Sequence, residues 1–228
     1  MIISVLKTSK DKPVLHKLVK NDANLPSRIV DKMLRKLQTG GLLYIHGGIL
    51  EVSTLQRLRL AVLAVEQGAD YERVCCFLGW REFERIGAIS LEASGYNVET
   101  SLRFKQGGRR WEIDVVGCRK PLILCLDCKH WRRGVSSKLR RAAEEQVRRT
   151  LAFSEFLPNP AVRIDCASWN NARFVPVVLT LMQADFKFFN GTPVVPVLRL
   201  QDFLVQLPTC ADSLKHFDKS WSGFKLAP

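Results

Sequence analysis

The apolar residues of the first fifty positions follow a helical period and then a strand period. Residues 14–20, "VLHKLVK", predict a short helix, and the next segment, residues 24–38, predicts a longer one. The longer helix carries one apolar stripe, formed by Ile29, Val30, Met33, Leu34 and Leu37. Two short β-runs then flank a His46-Gly47-Gly48 turn. This order predicts a winged helix-turn-helix over residues 1–53, used either for DNA contact or for packing and dimerisation.

The pattern from residue 54 onward predicts a helical connector and then a larger domain. Two helices fill residues 54–79, and a domain over residues 80–207 follows. Its predicted order is a helix, three β-runs, a long basic helix over roughly 137–157, two more strands and a short helix. An α-β-β-β-α-β order is typical of an α/β fold with a central mixed sheet. Residues 208–228 carry little pattern, and we expect them to form a peripheral tail.

The net charge of the chain adds a prediction about its partners to this predicted fold. It carries 35 basic and 22 acidic residues among 228, a formal net charge of +13. The basic residues cluster, as in "KLRRAAEEQVRR", which favours a polyanionic partner such as nucleic acid over a basic surface that only aids solubility. No apolar run is long enough to span a membrane, and the N-terminus lacks the order of a secretory signal. We therefore expect a cytoplasmic protein with no membrane partner.

The seven cysteines offer only a weak metal motif. Cys125 and Cys128 form one CxxC, but no second pair stands at zinc-site spacing. In a strand the two side chains point to opposite faces, so they cannot share a metal. We expect the cysteines to be small packing residues.

The stretch "LCLDCKHW", residues 124–131, places two ionisable residues in an otherwise apolar strand. The strand before it, "WEIDVVG", carries Asp114. A turn centred on Arg119 and Lys120 would place Asp114 opposite Cys125 and diagonal to Asp127, so that Asp114, Asp127 and Lys129 share one face. Two such carboxylates need a compensating cation, either Lys129 or a hard divalent ion such as Mg²⁺. The alternative is a buried Asp127–Lys129 ion pair that merely closes the sheet.

Together these residues resemble the PD-(D/E)xK phosphodiesterase superfamily. Asp114 followed by Asp127-Cys128-Lys129 is similar to its D…(D/E)xK signature, and "FERIGAISLEASGYNVETS" is similar to the entry of its Mrr-type and archaeal Holliday-junction-resolvase-like branches. The resemblance covers residues 80–205 and implies a restriction-endonuclease-like αβββαβ core. Ile113 stands where many members have proline, and neither branch has Asp as its second acid, so the branch stays open.

The resemblance also implies the site residues. Glu84, Asp114, Asp127 and the main-chain carbonyl of Cys128 correspond to metal ligands, and Lys129 corresponds to the catalytic lysine. Glu82 and Glu92 are rivals of Glu84 on the same helix. Gln146 is either a catalytic contact to water or phosphate, or an exposed helical residue. The expected cofactor is Mg²⁺, with Mn²⁺ able to substitute.

Basic residues on three predicted elements are candidates for binding phosphates. They are Lys105, Arg109 and Arg110 in the hairpin; Arg140, Arg141, Arg148 and Arg149 in the long helix; and Lys32, Arg35 and Lys36 in the N-terminal module. Contacts of this kind supply salt-sensitive affinity but do not read sequence.

The sequence therefore predicts a Mg²⁺-dependent DNA endonuclease acting on DNA such as branched or damaged duplexes. Two alternatives remain: a non-catalytic DNA-binding or regulatory protein built on a nuclease scaffold, and an RNA-processing endonuclease. One active site cuts one strand, so cleavage of both strands or of a junction would imply a homodimer.

Overall fold

The structure is a computed structural model that describes residues 1–10, 12–131, 136–159 and 164–221. The chain forms two compact units, Met1–Phe83 and Glu84–Pro228. The predicted connector over residues 54–79 therefore belongs to the first unit. None of the described helices is long and apolar enough to cross a membrane.

The first unit combines helices with a small antiparallel sheet. Its elements are α1 (Ile2–Thr8), β1 (Val14–Leu15), α2 (His16–Ala23), α3 (Ser27–Thr39), β2 (Tyr44–His46), β3 (Ile49–Glu51), α4 (Thr54–Glu66) and α5 (Tyr71–Cys75). The three strands lie in the order β1-β3-β2. The helix and hairpin order expected for residues 24–53 is confirmed, as are the two helices after it.

Two details of this unit differ from the sequence prediction. Val14 and Leu15 do not begin a helix, because they pair with the edge of β3 opposite Leu50 and Ile49. The stripe of α3 is narrower than expected: Val30, Leu34 and Leu37 are buried, while Ile29 and Met33 are 47% and 39% exposed. A helix on the surface of a small unit buries only one side of its stripe, and periodicity alone does not show where that side ends.

The second unit is an α/β layer structure around a mixed sheet of seven strands. Its elements are α6 (Trp80–Ala93, which begins in the first unit), β4 (Asn97–Gln106), β5 (Arg109–Arg119), β6 (Leu122–Lys129), α7 (Ser136–Phe156), β7 (Asn171–Thr180), β8 (Phe188–Phe189), β9 (Thr192–Pro196), α8 (Leu200–Cys210) and β10 (Phe217–Ser220). The strand order is β4-β5-β6-β7-β9-β8, with β10 also paired to β7. The predicted helix, three strands, helix and strand are present in order.

The centre of the sheet is β6, which is antiparallel to β5 and parallel to β7. Residues Leu122 to Asp127 are all buried because helices cover both faces of the sheet. On one face Cys125 packs with Phe153 of α7. On the other, α6 lies so close that a Cβ on Gly117 would fall 2.9 Å from Leu91 Cδ1. Gly117 is therefore the residue that lets α6 approach β5.

The C-terminal part departs from the prediction in three places. The last predicted strand, "TPVVPVLRL" in the sequence, is shorter than that pattern indicates: it ends at Pro196, and a 3-10 turn, Val197–Arg199, leads into α8. The tail from residue 208 is not wholly peripheral, because β10 pairs with the first half of β7. β8 has two residues, too few for a periodic signal.

Candidate active site

The site lies where the pairing of β5 and β6 ends. The last paired residues are Val115 and Leu126, and the turn between the strands lies at Lys120 and Pro121. The predicted register, with Asp114 opposite Cys125, is wrong by two residues, since Val116 pairs with Cys125. A shift of two preserves the face of every side chain, so it brings Asp114 nearer to Asp127 without scattering the set.

Asp127 is the buried centre of the arrangement. Its side chain is 2% exposed, and Lys129 Nζ lies 2.8 Å from Oδ2 and 2.9 Å from Oδ1. Arg149, on α7, places Nη1 2.5 Å from Oδ1. A carboxylate buried to this degree must be compensated, and two cations from different elements do so here.

Asp114 is half-buried beside this pair. Its Oδ2 accepts a hydrogen bond of 2.7 Å from the main-chain N–H of Cys128, just past the end of the strand pairing. Burial raises the pKa of the Asp114 carboxyl above its ordinary value, and the Asp127 charge adds to that rise, while the Cys128 hydrogen bond, Lys129 and Arg149 oppose it. Asp114, Asp127, Lys129 and Arg149 therefore act on one another electrostatically.

Gln146 lies fully buried on α7, one turn before Arg149. Its Nε2 donates to the main-chain oxygen of Cys125 at 2.7 Å, which ties α7 to β6. The reading of Gln146 as an exposed helical residue is wrong, because its exposure is 0%. Its Oε1 is buried without a hydrogen-bond partner in the described structure. Gln146 positions the strand that carries Asp127; a contact to substrate stays a prediction.

The three candidate glutamates of α6 have different surroundings. Glu82 is buried in an ion pair with Arg57, and its second oxygen accepts the Gly79 N–H, so it has a structural role in the first unit. Glu92 is exposed and lies 3.4 Å from Arg85. Glu84 is half-buried, and its charge contributes to the raised pKa of the Cys128 thiol. Of the three, Glu84 therefore acts electrostatically on a residue of β6 next to Asp127 and Lys129.

The donor set suits a metal held by few protein ligands. In the described part of the chain, no group of three or more His, Cys, Asp and Glu side chains is arranged to hold a metal ion. Asp114 and Asp127 nonetheless offer hard oxygen donors, and Mg²⁺ commonly uses one or two carboxylates together with water and phosphate oxygens. The residues thus fit a two-carboxylate site and do not form a three-acid cage; the metal role predicted for Glu84 stays a prediction.

The CxxC cysteines are packing residues, as expected. Cys125 is fully buried in the core on the α7 side, whereas Cys128 Sγ would lie 3.9 Å from a Cβ on Gly87 of α6. Burial raises the pKa of both thiols well above the ordinary value, which keeps them protonated. They point to opposite faces of β6, as strand alternation predicts.

All the predicted phosphate-binding residues except Arg149 are exposed, and two of them also pair with an acid. Lys32, Arg35, Lys36, Lys105, Arg110, Arg140 and Arg141 are exposed. Arg109 and Arg148 both pair with Glu145, at 2.7 and 3.1 Å. Arg149 differs from its neighbours on α7, because it turns toward Asp127. Its basic character alone does not distinguish Arg149 from the surface arginines beside it. The signal in the sequence is its spacing of three from Gln146, which places both residues on one helix face.

The chain is similar to an archaeal protein and to two solved structures. No family model matches the chain. It is similar to two solved structures, a protein of unknown function, AF1548 (18% identity, TM-score 0.31, 44% of this chain and 46% of that one), and VC1899 from Vibrio cholerae (12% identity, TM-score 0.38, 93% and 51%). The chain spans about half the length of each. An uncharacterized protein of Archaeoglobus fulgidus is 33% identical over 130 residues, 56% of this chain and 91% of that protein. The chain belongs to the family of this uncharacterized archaeal protein.

Proposed function

We propose that this protein is a Mg²⁺-dependent endonuclease that hydrolyses DNA phosphodiester bonds, with its active site at the ends of β5 and β6. One observation carries the proposal: Asp114, Asp127 and Lys129 lie together at the end of a strand pair, where a purely structural sheet would place apolar residues. Buried ion pairs add little to stability compared with apolar packing, so the presence of one in the central strand favours a chemical role.

The metal would be held by the carboxylates of Asp114 and Asp127, with the Cys128 carbonyl as a further oxygen donor. When bound, Mg²⁺ polarises a phosphoryl group and lowers the pKa of a bound water. The raised pKa of Asp114 supports a cation beside it, because a buried carboxylate next to a second carboxylate is the group that gains most from added positive charge.

Lys129 is the proposed residue that acts on the reacting groups. Its side chain is 22% exposed while the Asp127 carboxylate that orients it is 2% exposed, so the ammonium sits at the boundary between core and solvent. In that position it can hold the attacking water or stabilise negative charge that develops on the phosphate. Arg149, 23% exposed, is a second cation at the same boundary.

Exposed basic residues in each of the two units are the proposed contacts to DNA phosphates. Lys105 and Arg110 of the β4–β5 hairpin and Arg140 and Arg141 of α7 are solvent-accessible and would neutralise phosphates. We also propose that α2, α3 and the β2–β3 hairpin form a winged helix-turn-helix, with Lys32, Arg35 and Lys36 on its exposed face. Binding by such contacts weakens steeply with added salt.

A cleavage assay tests the proposal. The protein is incubated with plasmid, single-stranded DNA, branched DNA and RNA in Mg²⁺ or Mn²⁺, beside Lys129→Ala and the matched control Lys120→Ala. Lys120 is exposed and lies in the turn of the same hairpin, at the end away from the site. We expect DNA cleavage that is lost in Lys129→Ala and kept in Lys120→Ala. Absence of cleavage of every substrate by the unaltered protein would refute the proposal.

One observation favours a second candidate, the non-catalytic DNA-binding protein. Lys129 and Arg149 already balance the charges of Asp127 and Asp114 without a metal. Under this alternative the cluster is a structural network, and DNA binding would persist with no cleavage. Cleavage of RNA alone would instead support the RNA-processing alternative.

A further inference from the structure

A candidate second site is formed by residues of the first unit alone. A cavity of about 880 Å³ opens beside the β2–β3 hairpin and the N-terminal ends of α4 and α6. Ligand pockets commonly span roughly 300–1,000 Å³, so the cavity is large enough for a ligand of several groups. Its described lining residues fall between Ser9 and Glu82.

The floor of the cavity is built around a buried arginine that donates four hydrogen bonds. Arg57 is 2% exposed and donates to the main-chain oxygens of Leu6 and Phe77, at 2.8 and 2.6 Å, and to Ser9 Oγ at 2.9 Å. It also pairs with Glu82. The floor therefore joins α1, α4 and the start of α6, and the acid that lines it is already neutralised.

The rim of the cavity is basic. Lys10, Lys12, Arg59 and Arg81 are exposed and line the opening. Among the described lining residues, Glu51 is the one acid besides Glu82. Four exposed cations against one unneutralised acid make the rim attractive to an anion carrying more than one charge.

Two helix N-termini add to the positive electrostatic potential of the rim. α4 and α6, of 13 and 14 residues, both begin at the cavity, where the partial positive charge of a helix is concentrated. Ser53 and Gln56 form a capping box at α4, and Glu82 accepts the Gly79 N–H at α6. The ends are partly satisfied, so their contribution supplements that of the rim cations.

Two aromatic rings stand exposed at the same opening. Trp80 is 57% exposed and Tyr44 is 62% exposed, and both line the cavity. The Arg81 guanidinium lies 5.2 Å from the Trp80 ring centroid. A large exposed tryptophan beside cations is a typical platform for stacking an unpaired base, because every base presents a π-face.

We propose that this cavity binds single-stranded nucleic acid, with phosphates on Lys10, Lys12, Arg59 and Arg81 and a base stacked on Trp80. Duplex DNA fits the arrangement less well, since its bases are already stacked and present no face to a side chain. The inference goes beyond the proposed cleavage and does not depend on it. It places a strand-binding site in a different unit from Asp114 and Asp127.

Binding is measured on the full chain in EDTA, so that cleavage plays no part, by fluorescence anisotropy of a labelled ten-residue oligothymidylate. The variants are Trp80→Ala, Trp80→Phe and Lys12→Ala, with Lys17→Ala as an exposed lysine of the same unit outside the cavity. We expect Trp80→Ala to weaken binding at least about fivefold, the lower range for loss of one stacked base. Trp80→Phe should recover most of that loss, and Lys12→Ala should weaken binding and reduce its salt dependence while Lys17→Ala does not.

Several outcomes would overturn the assignment. Equal affinity of Trp80→Ala and the unaltered protein, with circular dichroism confirming that both are folded, would remove the stacking role. If thymidine monophosphate competed as strongly as the oligonucleotide, the ligand of the cavity would be a free nucleotide and not a strand. A preference for duplex over single strands of equal length would contradict the cavity argument. Because no metal is present, none of these results depends on whether the protein cleaves DNA.

Discussion

The ion pair between Arg149 and Asp127 leads to the sharpest prediction. Substituting Arg149 shows whether this residue belongs to the site or is an ordinary basic residue of the surface. Arg149→Met removes the guanidinium from a carboxylate whose side chain is 2% exposed. Arg148→Met is the matched control, because Arg148 is the neighbour of Arg149 on α7 but is 58% exposed. Its Nη2 lies 3.1 Å from Glu145 Oε2. The two substitutions change the same charge one position apart.

The expected magnitude follows from what remains around Asp127. Removing one partner of a fully buried pair costs about 3–5 kcal/mol when the other charge is left stranded. Here Lys129 stays within 2.8 and 2.9 Å of the two oxygens, and Arg149 is itself 23% exposed, so solvent screens part of the interaction. We therefore expect Arg149→Met to lower the free energy of unfolding by about 1–2 kcal/mol, near the value of a hydrogen bond to a charged group.

Urea unfolding followed by tryptophan fluorescence measures this loss in the relevant unit, since four of the five tryptophans lie after residue 83. Arg148→Met should change stability by less than about 0.5 kcal/mol, as surface pairs do. In an Asp127→Asn background, Arg149→Met should cost markedly less, because the charge it compensates is gone. Equal effects of the Arg148 and Arg149 substitutions, or no coupling to Asp127, would refute the reasoning.

Three other substitutions test the Asp114 carboxyl, the Gln146 hydrogen bond and the Glu82 ion pair. Asp114→Asn should raise the free energy of unfolding at neutral pH and abolish cleavage. The pKa of the Asp114 carboxyl is raised in the folded protein, so this carboxyl contributes stability below its ordinary pKa of 3.8 and loses it as pH rises through the folded pKa. The urea midpoints of variant and parent should therefore converge in acid. Gln146→Ala should destabilise the second unit by about 1–3 kcal/mol, because the Cys125 carbonyl loses its buried donor; unchanged hydrogen exchange in β6 would contradict this. Glu82→Gln should destabilise the protein by about 3–5 kcal/mol by leaving Arg57 buried and unpaired, whereas Glu92→Gln at an exposed pair should not, as thermal unfolding of both variants would show.

Long elements with strong periodicity were predictable from the sequence. The helices at residues 54–66 and 136–156 and the three successive strands carry many apolar repeats each, so their type did not depend on distant contacts. Short elements were not predictable in this way. Val14 and Leu15 extend because the β3 edge lies beside them, and Phe217 to Ser220 form a strand because β7 offers an unpaired edge. Such pairing is decided by residues far away in the chain.

The candidate site divides along the same line. By itself the sequence determined that Asp127 and Lys129 share one face, because strand alternation fixes the side of each residue within β6. The predicted turn added Asp114 to that face, and the error of two in register left its side unchanged. It also determined that Cys125 and Cys128 diverge.

Only the tertiary structure decided which other groups meet the acids. Arg149 and Gln146 reach β6 from α7. Glu82 forms an ion pair with Arg57, which lies twenty-five residues earlier in the chain. The cavity at Trp80 likewise depends on bringing α1, the β2–β3 hairpin and two helix ends together. Local patterns determine the face on which a side chain lies, whereas the packing of separate elements determines its partners, and the charge balance of this site depends on those partners.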